Sequence, residues 1–178
     1  MLDILFKNGM VVDGTGNPWY RADVGISNKK IKVISHNIEE SARRTIDISG
    51  LVLTPGFIDT HSHSDLMILK EANIQEKVRQ GVTTELLGQD GVSPAPVPGQ
   101  HTKFWKDYIK GLDGNVNSEW DFTSMGDYLA KFKGKTNTNI LSLVPHGGLR
   151  LDAVGLENRD ATDNELKEMS DLLSQSMD

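Results

Sequence analysis

Cysteine is absent from the 178-residue sequence. The chain can therefore form neither a disulfide framework nor a thiolate metal site, and any metal ligands must be nitrogen or oxygen atoms. Positive charge is also scarce, with 19 Lys and Arg against 25 Asp and Glu, a formal net charge of −6 and no dense basic cluster. We expect neither nucleic acid nor an anionic membrane surface as a partner.

Long apolar runs are missing as well. No stretch approaches the roughly 20 apolar residues that a membrane-spanning helix needs. The first seven residues include an acid, Asp3, in a region where a signal peptide carries positive charge. We therefore expect no membrane partner and a cytoplasmic location. A content of 37% apolar and 25% charged residues is ordinary for a folded globular protein.

The pattern along the chain changes near Pro55. Residues 1–55 predict short strands joined by tight turns, which indicates a small β unit. The residues that follow alternate between strand and helix signals, and this order predicts a parallel α/β sheet or barrel. An apolar strand that ends in two histidines is followed by a predicted helix over 68–80, a strand over 82–87 and a Gly/Pro-rich loop over 88–99. Helices are then predicted over 103–109 and 125–132, and a strand over 139–144. A last helix is predicted to begin near a capping box at 162–165.

The most informative segment is residues 54–65, TPGFIDTHSHSD. Side chains two residues apart on a strand project to the same side, so His61 and His63 can hold one metal ion between them. Their position at the carboxyl end of a strand is typical of active sites in α/β enzymes. The alternative is a pair of surface histidines that happen to alternate.

Three linked features resemble the amidohydrolase superfamily of metal-dependent hydrolases: the amino-terminal β unit, the PGFIDTHSH strand and the following GVTT strand. Within it, the sequence is most similar to the D-aminoacylases, the N-acyl-D-amino-acid deacylases. This closer resemblance comes from the segments HSHSD at 61–65, QGVTTELLGQDG at 80–91, SPAP at 93–96 and PHGGLR at 145–150.

The resemblance implies an α/β fold, an incomplete (β/α)8 TIM-type barrel preceded by part of a small β-sandwich. The implied domains are residues 1–55 for the sandwich part and 56–178 for the first part of the barrel. The implied activity is zinc-dependent hydrolysis of a linear amide, the deacylation of N-acyl-D-amino acids, with one or two zinc ions and a small-molecule substrate. Two alternatives stay open: a cyclic-amide hydrolase of the hydantoinase or dihydroorotase type, and a non-catalytic scaffold with an amidohydrolase-like fold.

The resemblance also implies site residues. His61 and His63 are the expected metal ligands, and Asp90 stands where many members of the family have a zinc-binding cysteine. A carboxylate can fill that role through oxygen, although Asp90 with Gly91 also fits a simple turn. His146 and Arg150 are candidates for substrate binding, Arg150 because a guanidinium pairs with carboxylates through two hydrogen bonds. A loop histidine and a surface ion pair are the plain alternatives.

Other residues carry weaker signals. Asp65 fits an orienting role toward a ligand histidine, a contact with substrate or a helix cap. Asp59 fits a position on the face of the histidines deeper in a barrel or an ordinary polar contact within the strand. The spacing of Trp105, Tyr108 and Ile109 predicts that all three face the core.

A complete barrel of this type takes about 250 residues, whereas 123 follow Pro55. We therefore expect the amino-terminal portion of a larger enzyme, and the resemblance implies that the proton-handling general base and further metal ligands lie beyond Asp178. On this interpretation the chain is inactive alone and needs the remainder of the barrel or another chain.

Overall fold

The computed structural model describes residues 1–71, 75–97, 99–114 and 120–177. The chain divides into two compact units, Met1–Pro55 and Gly56–Asp178. None of the helices in the described residues combines the length and the apolar character that a membrane span requires.

The first unit is built on one five-stranded sheet. Its strands are β1 (Leu2–Val11), β2 (Tyr20–Ser27), β3 (Lys30–Ser35), β4 (Ala42–Asp47) and β5 (Val52–Leu53). The order is β3-β2-β1-β4, with β5 also pairing with β1. The β1–β2 and β2–β3 pairs are antiparallel, whereas β4 and β5 run parallel to β1. The unit is therefore a β structure, as its alternating apolar pattern and tight turns predict.

One buried carboxylate in the first unit connects β2 to β1 and to the segment after β3. Asp23, 2% exposed, accepts backbone N–H hydrogen bonds from Asn8 at 2.9 Å and Ile38 at 3.0 Å. Lys7 Nζ lies 3.3 Å from its Oδ2 atom. Burial opposes ionisation, but these hydrogen bonds and Lys7 outweigh it and lower the pKa of Asp23.

The second unit contains a parallel sheet and several helices. Its strands are β6 (Phe57–Asp59), β7 (Val82–Leu87) and β8 (Asn139–Ser142), in the order β6-β7-β8 and all parallel. Its helices are α1 (Asp65–Lys70), α2 (Gln75–Val78), α3 (Thr102–Asp113), α4 (Met125–Ala130), α5 (His146–Ala153) and α6 (Asp163–Met177). The predicted mixed α/β class is confirmed, since parallel strands alternate with helices along the chain.

Several predicted elements differ from the structure, and helices α3 and α4 span 102–113 and 125–130 rather than 103–109 and 125–132. The helix expected over 68–80 is two shorter helices, α1 and α2, and residues 72–74 lie outside the described part of the chain. The last strand ends at Ser142 rather than 144. The strand expected to carry both histidines ends at Asp59, because the Asp59 carboxylate accepts the backbone N–H of His61 at 3.2 Å and turns the chain out of the sheet.

Helix α3 packs through one face. Trp105 and Ile109 are 3% and 0% exposed, whereas Tyr108 is 59% exposed, so the prediction that all three face the core is wrong for Tyr108. Residues 105 and 109 are four apart and share a face, and Tyr108 lies to the side of it. A second cluster of buried side chains packs around Tyr128 of α4 and includes Leu87 at the end of β7. These clusters hold the helices next to the carboxyl ends of the strands.

Candidate metal centre

The two histidines lie in the turn between β6 and α1. His61 and His63 have ring centroids 5.4 Å apart, in an edge-to-face arrangement. The backbone N–H of Ser62, between them, donates to the carbonyl of Leu86 near the end of β7 at 3.2 Å. The histidine turn is therefore tied to the neighbouring strand, although the histidines themselves are outside the sheet.

Asp90 belongs to the loop that leaves β7. Gly88 and Asp90 both adopt positive φ angles, 74° and 55°. The side chain of Gln89 donates from Nε2 to the carbonyl oxygens of Thr60 and Leu86, both at 2.9 Å. Since Thr60 directly precedes His61, this loop is joined to the histidine turn, and the Asp90 carboxylate faces the imidazoles.

The three predicted metal ligands come together. Asp90 Oδ2 lies 3.3 Å from His61 Nε2 and 3.1 Å from His63 Nε2. The potential ligand atoms of the three residues all lie within 4.8 Å of one another. Two imidazole nitrogens and one carboxylate oxygen are a donor set that zinc accepts, and three protein ligands with one open position are typical of catalytic zinc. The residues fit a zinc ion.

Two buried acidic residues, Asp113 and Asp65, lie near His63. Asp113, at the end of α3, has its Oδ1 atom 3.5 Å from His63 Nδ1 and is fully buried. Burial, reinforced by the nearby Asp65 charge, raises the pKa of Asp113 to about 8. Burial also raises the pKa of Asp65 to about 6, although Tyr128 and Ser93 donate hydrogen bonds to its Oδ1 atom at 3.1 and 3.3 Å.

Sequence reasoning did not find Asp113. A signal was present, because Trp105, Ile109 and Asp113 follow one another at four-residue intervals and so share the buried face of α3. An acid on the apolar face of a helix indicates a polar partner inside the fold. Asp65 is the first residue of α1, and its side chain turns inward to Tyr128 rather than capping the helix.

A second charged cluster contacts the turn that carries the two histidines. Glu85 of β7 is 3% exposed, and its carboxylate accepts hydrogen bonds from Ser62, Ser64 and Thr138. Lys77 of α2 lies 3.5 Å from this carboxylate. It also forms an ion pair with Asp59, which lowers the pKa of Asp59. Asp59 is thus a polar contact within the fold and stands outside the metal cluster.

The two predicted substrate-binding residues line one cleft. The cleft has a volume of about 450 Å³, and Asp90, Tyr108, His146 and Arg150 are among the residues on its walls. His146 is the first residue of α5 and is exposed. Arg150 donates from Nη2 to the backbone carbonyl oxygens of residues 157 and 159, at 3.1 and 2.7 Å. The cleft therefore places a cationic side chain on the same walls as one candidate metal ligand, Asp90.

The comparisons with known proteins agree with this arrangement. Residues 44–177 match the model of the amidohydrolase family. The chain belongs to the amidohydrolase family, and the resemblance seen in the sequence is confirmed. It is 32% identical over 176 residues to a D-aminoacylase of Alcaligenes xylosoxydans xylosoxydans, covering 98% of this chain and 35% of the relative. Identity to an N-acyl-D-glutamate deacylase of the same organism is 33% over 180 residues, covering 99% and 35%.

Solved structures of deacylases have a fold similar to that of this chain over the matched region. The N-acyl-D-glutamate deacylase from Bordetella bronchiseptica, solved with zinc and a phosphonate inhibitor, superposes with a TM-score of 0.81 at 32% identity, covering 98% of this chain and 36% of that one. A D-aminoacylase studied for its binuclear metal centre also gives 0.81 at 32% identity, covering 99% and 36%. The chain thus spans about a third of the length of the curated relatives it matches.

Proposed function

We propose that this chain is part of a zinc-dependent amidohydrolase that deacylates N-acyl-D-amino acids, releasing a D-amino acid and a carboxylate. The observation that carries the proposal is the convergence of His61, His63 and Asp90, whose Oδ2 atom faces both imidazoles at 3.1 to 3.3 Å. The substrate class comes from the relatives, a D-aminoacylase and an N-acyl-D-glutamate deacylase.

His61, His63 and Asp90 would hold the metal, as one or two zinc ions. Bound zinc supplies Lewis-acid polarisation of a carbonyl oxygen and activation of water near neutral pH. Asp90 Oδ2 lies within 3.3 Å of both imidazole Nε2 atoms, so Asp90 would hold the metal together with both histidines. His61 and Asp90 each have a side chain 58% exposed, and Asp90 also lies on the wall of the cleft.

His146 and Arg150 would bind the substrate. Hydrogen bonds from Arg150 Nη2 to two backbone carbonyl oxygens hold the guanidinium in place, and a guanidinium has further N–H groups with which to bind a carboxylate. We assign Arg150 to the α-carboxylate of the amino acid and His146 to a polar contact nearer the amide. The scissile amide would then lie toward Asp90, on the same cleft.

We further propose that residues 1–55 are part of a small β-sandwich and residues 56–178 the first part of a distorted (β/α)8 barrel. Two observations support this. The relatives are almost three times as long as the matched region. The strands β6 and β8, each paired on one side in the described sheet, carry exposed apolar side chains, among them Phe57, Ile58 and Leu141. The remaining barrel strands, from the same protein or another chain, would supply the further ligands and the general base.

The test is a hydrolysis assay in two settings. The chain, isolated from its natural host with whatever completes its barrel, should hydrolyse N-acetyl-D-amino acids faster than the L enantiomers or hydantoin, and should lose activity in His63→Ala. Turnover of hydantoin alone would contradict the proposal. The purified 178-residue chain with added zinc should be inactive, and robust turnover by it would show that the described residues complete the site.

A further inference from the structure

The serines that alternate with the histidines converge on one carboxylate. Ser62 Oγ and Ser64 Oγ donate to Glu85 Oε2 at 3.0 and 2.9 Å, and Thr138 donates to Oε1 at 2.8 Å. Glu85 lies within β7 and is 3% exposed. It therefore holds the two residues that directly follow His61 and His63.

Lys77 extends this contact to the start of the turn. Its Nζ atom donates to Ser62 Oγ at 3.2 Å, lies 3.5 Å from Glu85 Oε2 and forms an ion pair with Asp59. Asp59 in turn accepts the backbone N–H of His61. Glu85 and Lys77 thus form one charged network that contacts both neighbours of His63 and, through Ser62 and Asp59, the backbone around His61.

The histidine turn has little regular structure of its own. It begins where β6 ends at Asp59 and finishes where α1 begins at Asp65. Side-chain contacts must therefore determine much of its geometry, and metal affinity depends on how well ligands are held before the metal binds. A buried ion pair contributes little net stability over apolar side chains of the same volume, so stability alone is a weak reason for a charged network at this place.

From this arrangement we propose that Glu85, together with Lys77, is a positioning residue that orients His61 and His63 toward Asp90. This inference rests on the proposed metal site, and it adds a role for two residues that touch neither the metal ligands' rings nor the cleft. If Glu85 has this role, variants of Glu85 that remain folded should bind the metal more weakly than wild type.

The first unit offers a matched control. Lys7 and Asp23 form a comparable pair, with side chains 30% and 3% exposed, against 28% and 3% for Lys77 and Glu85. Asp23→Ala also removes a buried carboxylate beside a lysine. Asp23 lies in the first unit, so Asp23→Ala is expected to lose stability without losing metal affinity.

The experiment measures the zinc dissociation constant of the 178-residue chain by competition with a chromophoric chelator, in wild type, Glu85→Ala, Glu85→Gln and Asp23→Ala. Circular dichroism checks that each variant is folded at the temperature used. Glu85→Ala should weaken zinc binding by about tenfold. Glu85→Gln keeps an oxygen acceptor for the two serines and should stay within about threefold of wild type. Asp23→Ala should not change the affinity.

Two further measurements cover the other outcomes. If Glu85→Ala does not fold, the double variant Ser62→Ala/Ser64→Ala removes the donors while the carboxylate and Lys77 remain, and it should show the same loss. In the metal-free chain, the imidazole C–H NMR signals of His61 and His63 should shift in these variants and not in Asp23→Ala. Absence of zinc binding in the wild type would contradict the proposed metal site of His61, His63 and Asp90, whereas unchanged NMR signals and unchanged affinity in a folded Glu85→Ala would overturn the positioning role.

Discussion

A Cβ atom on Gly88 would lie 2.4 Å from the backbone carbonyl oxygen of Leu143. Gly88 also has a φ angle of 74°, in the left-handed region that costs other residues free energy. It directly follows β7, and Leu143 directly follows β8, so the ends of two strands approach closely at this point. Asp90 lies two residues farther on. The position of the Asp90 carboxylate therefore depends on the absence of a side chain at residue 88.

Gly88→Ala should both destabilise the fold and weaken metal binding. The left-handed backbone costs about 1–2 kcal/mol for an alanine, and the clash with a backbone oxygen requires a further shift of the loop that carries Asp90. Gly16→Ala is the control, because Gly16 has a φ angle of 88° but a Cβ atom there would meet no other atom within 4 Å. Urea unfolding and zinc titration of both variants test this. Equal losses in the two variants would show that the contact with Leu143 is unimportant.

The zinc affinity of Asp90 variants should depend on how well the new side chain serves as a zinc ligand. Asp90→Cys should bind zinc at least as tightly as wild type, since a thiolate is a softer ligand that zinc favours. Asp90→Asn should bind it more weakly, because a neutral amide lacks the charge, while Asn tolerates the positive φ of 55° well. The check is zinc competition together with the cobalt absorption spectrum, in which a thiolate gives a charge-transfer band. An unchanged affinity in Asp90→Asn would remove Asp90 from the metal site.

The buried acid Asp113 should make stability depend on pH. Its pKa is about 8 in the folded chain, raised by burial above the ordinary value of 3.8. The folded state therefore holds a proton that the unfolded state releases, and the free energy of unfolding should fall as pH rises between these two values. The contribution to the slope is at most about 1.4 kcal/mol per pH unit.

Asp113→Asn should remove this contribution. Urea unfolding of metal-free wild type and variant at about pH 5, 6 and 7 gives the difference between the two slopes, which reports the contribution of Asp113. The variant should gain stability relative to wild type as pH rises. A constant difference across this range would mean that Asp113 is ionised throughout.

Much of the candidate site follows from strand order alone. Parallel neighbouring strands bring their carboxyl ends to one edge, so residues after β6 and residues after β7 must lie close together, and this places Asp90 beside the histidines. The prediction that His61 and His63 lie on the strand itself is wrong, because β6 ends at Asp59. The two rings still face Asp90, whose Oδ2 atom lies 3.3 Å and 3.1 Å from the Nε2 atoms of His61 and His63.

The supporting residues could not be predicted in this way. Asp113 and Glu85 are distant in sequence from the histidines, and their roles depend on which face of α3 packs inward and on which face of β7 points to the histidine turn. Single polar residues on elements that are otherwise apolar are the only local sign. Tyr108 shows the opposite error, because helical spacing suggested burial for a side chain that is 59% exposed on the wall of the cleft.

The described edges of the parallel sheet lead to a final prediction about self-association. Ile58 on β6 and Leu141 on β8 are 61% and 53% exposed, and each lies on a strand that pairs on one side only within the described sheet. Exposed apolar edge strands promote association between chains. The purified 178-residue chain should therefore form oligomers or aggregates whose size grows with concentration.

The double variant Ile58→Lys/Leu141→Lys should reduce this association, because lysine on an edge strand opposes pairing with another chain. Trp19→Lys is the matched control, since Trp19 is an apolar side chain 55% exposed in the first unit. Light scattering and sedimentation over a concentration series measure the effect, with circular dichroism to confirm that the fold is retained. A wild-type chain that stays monomeric at all concentrations, or an equal reduction in Trp19→Lys, would contradict the proposal that further barrel strands cover these two edges.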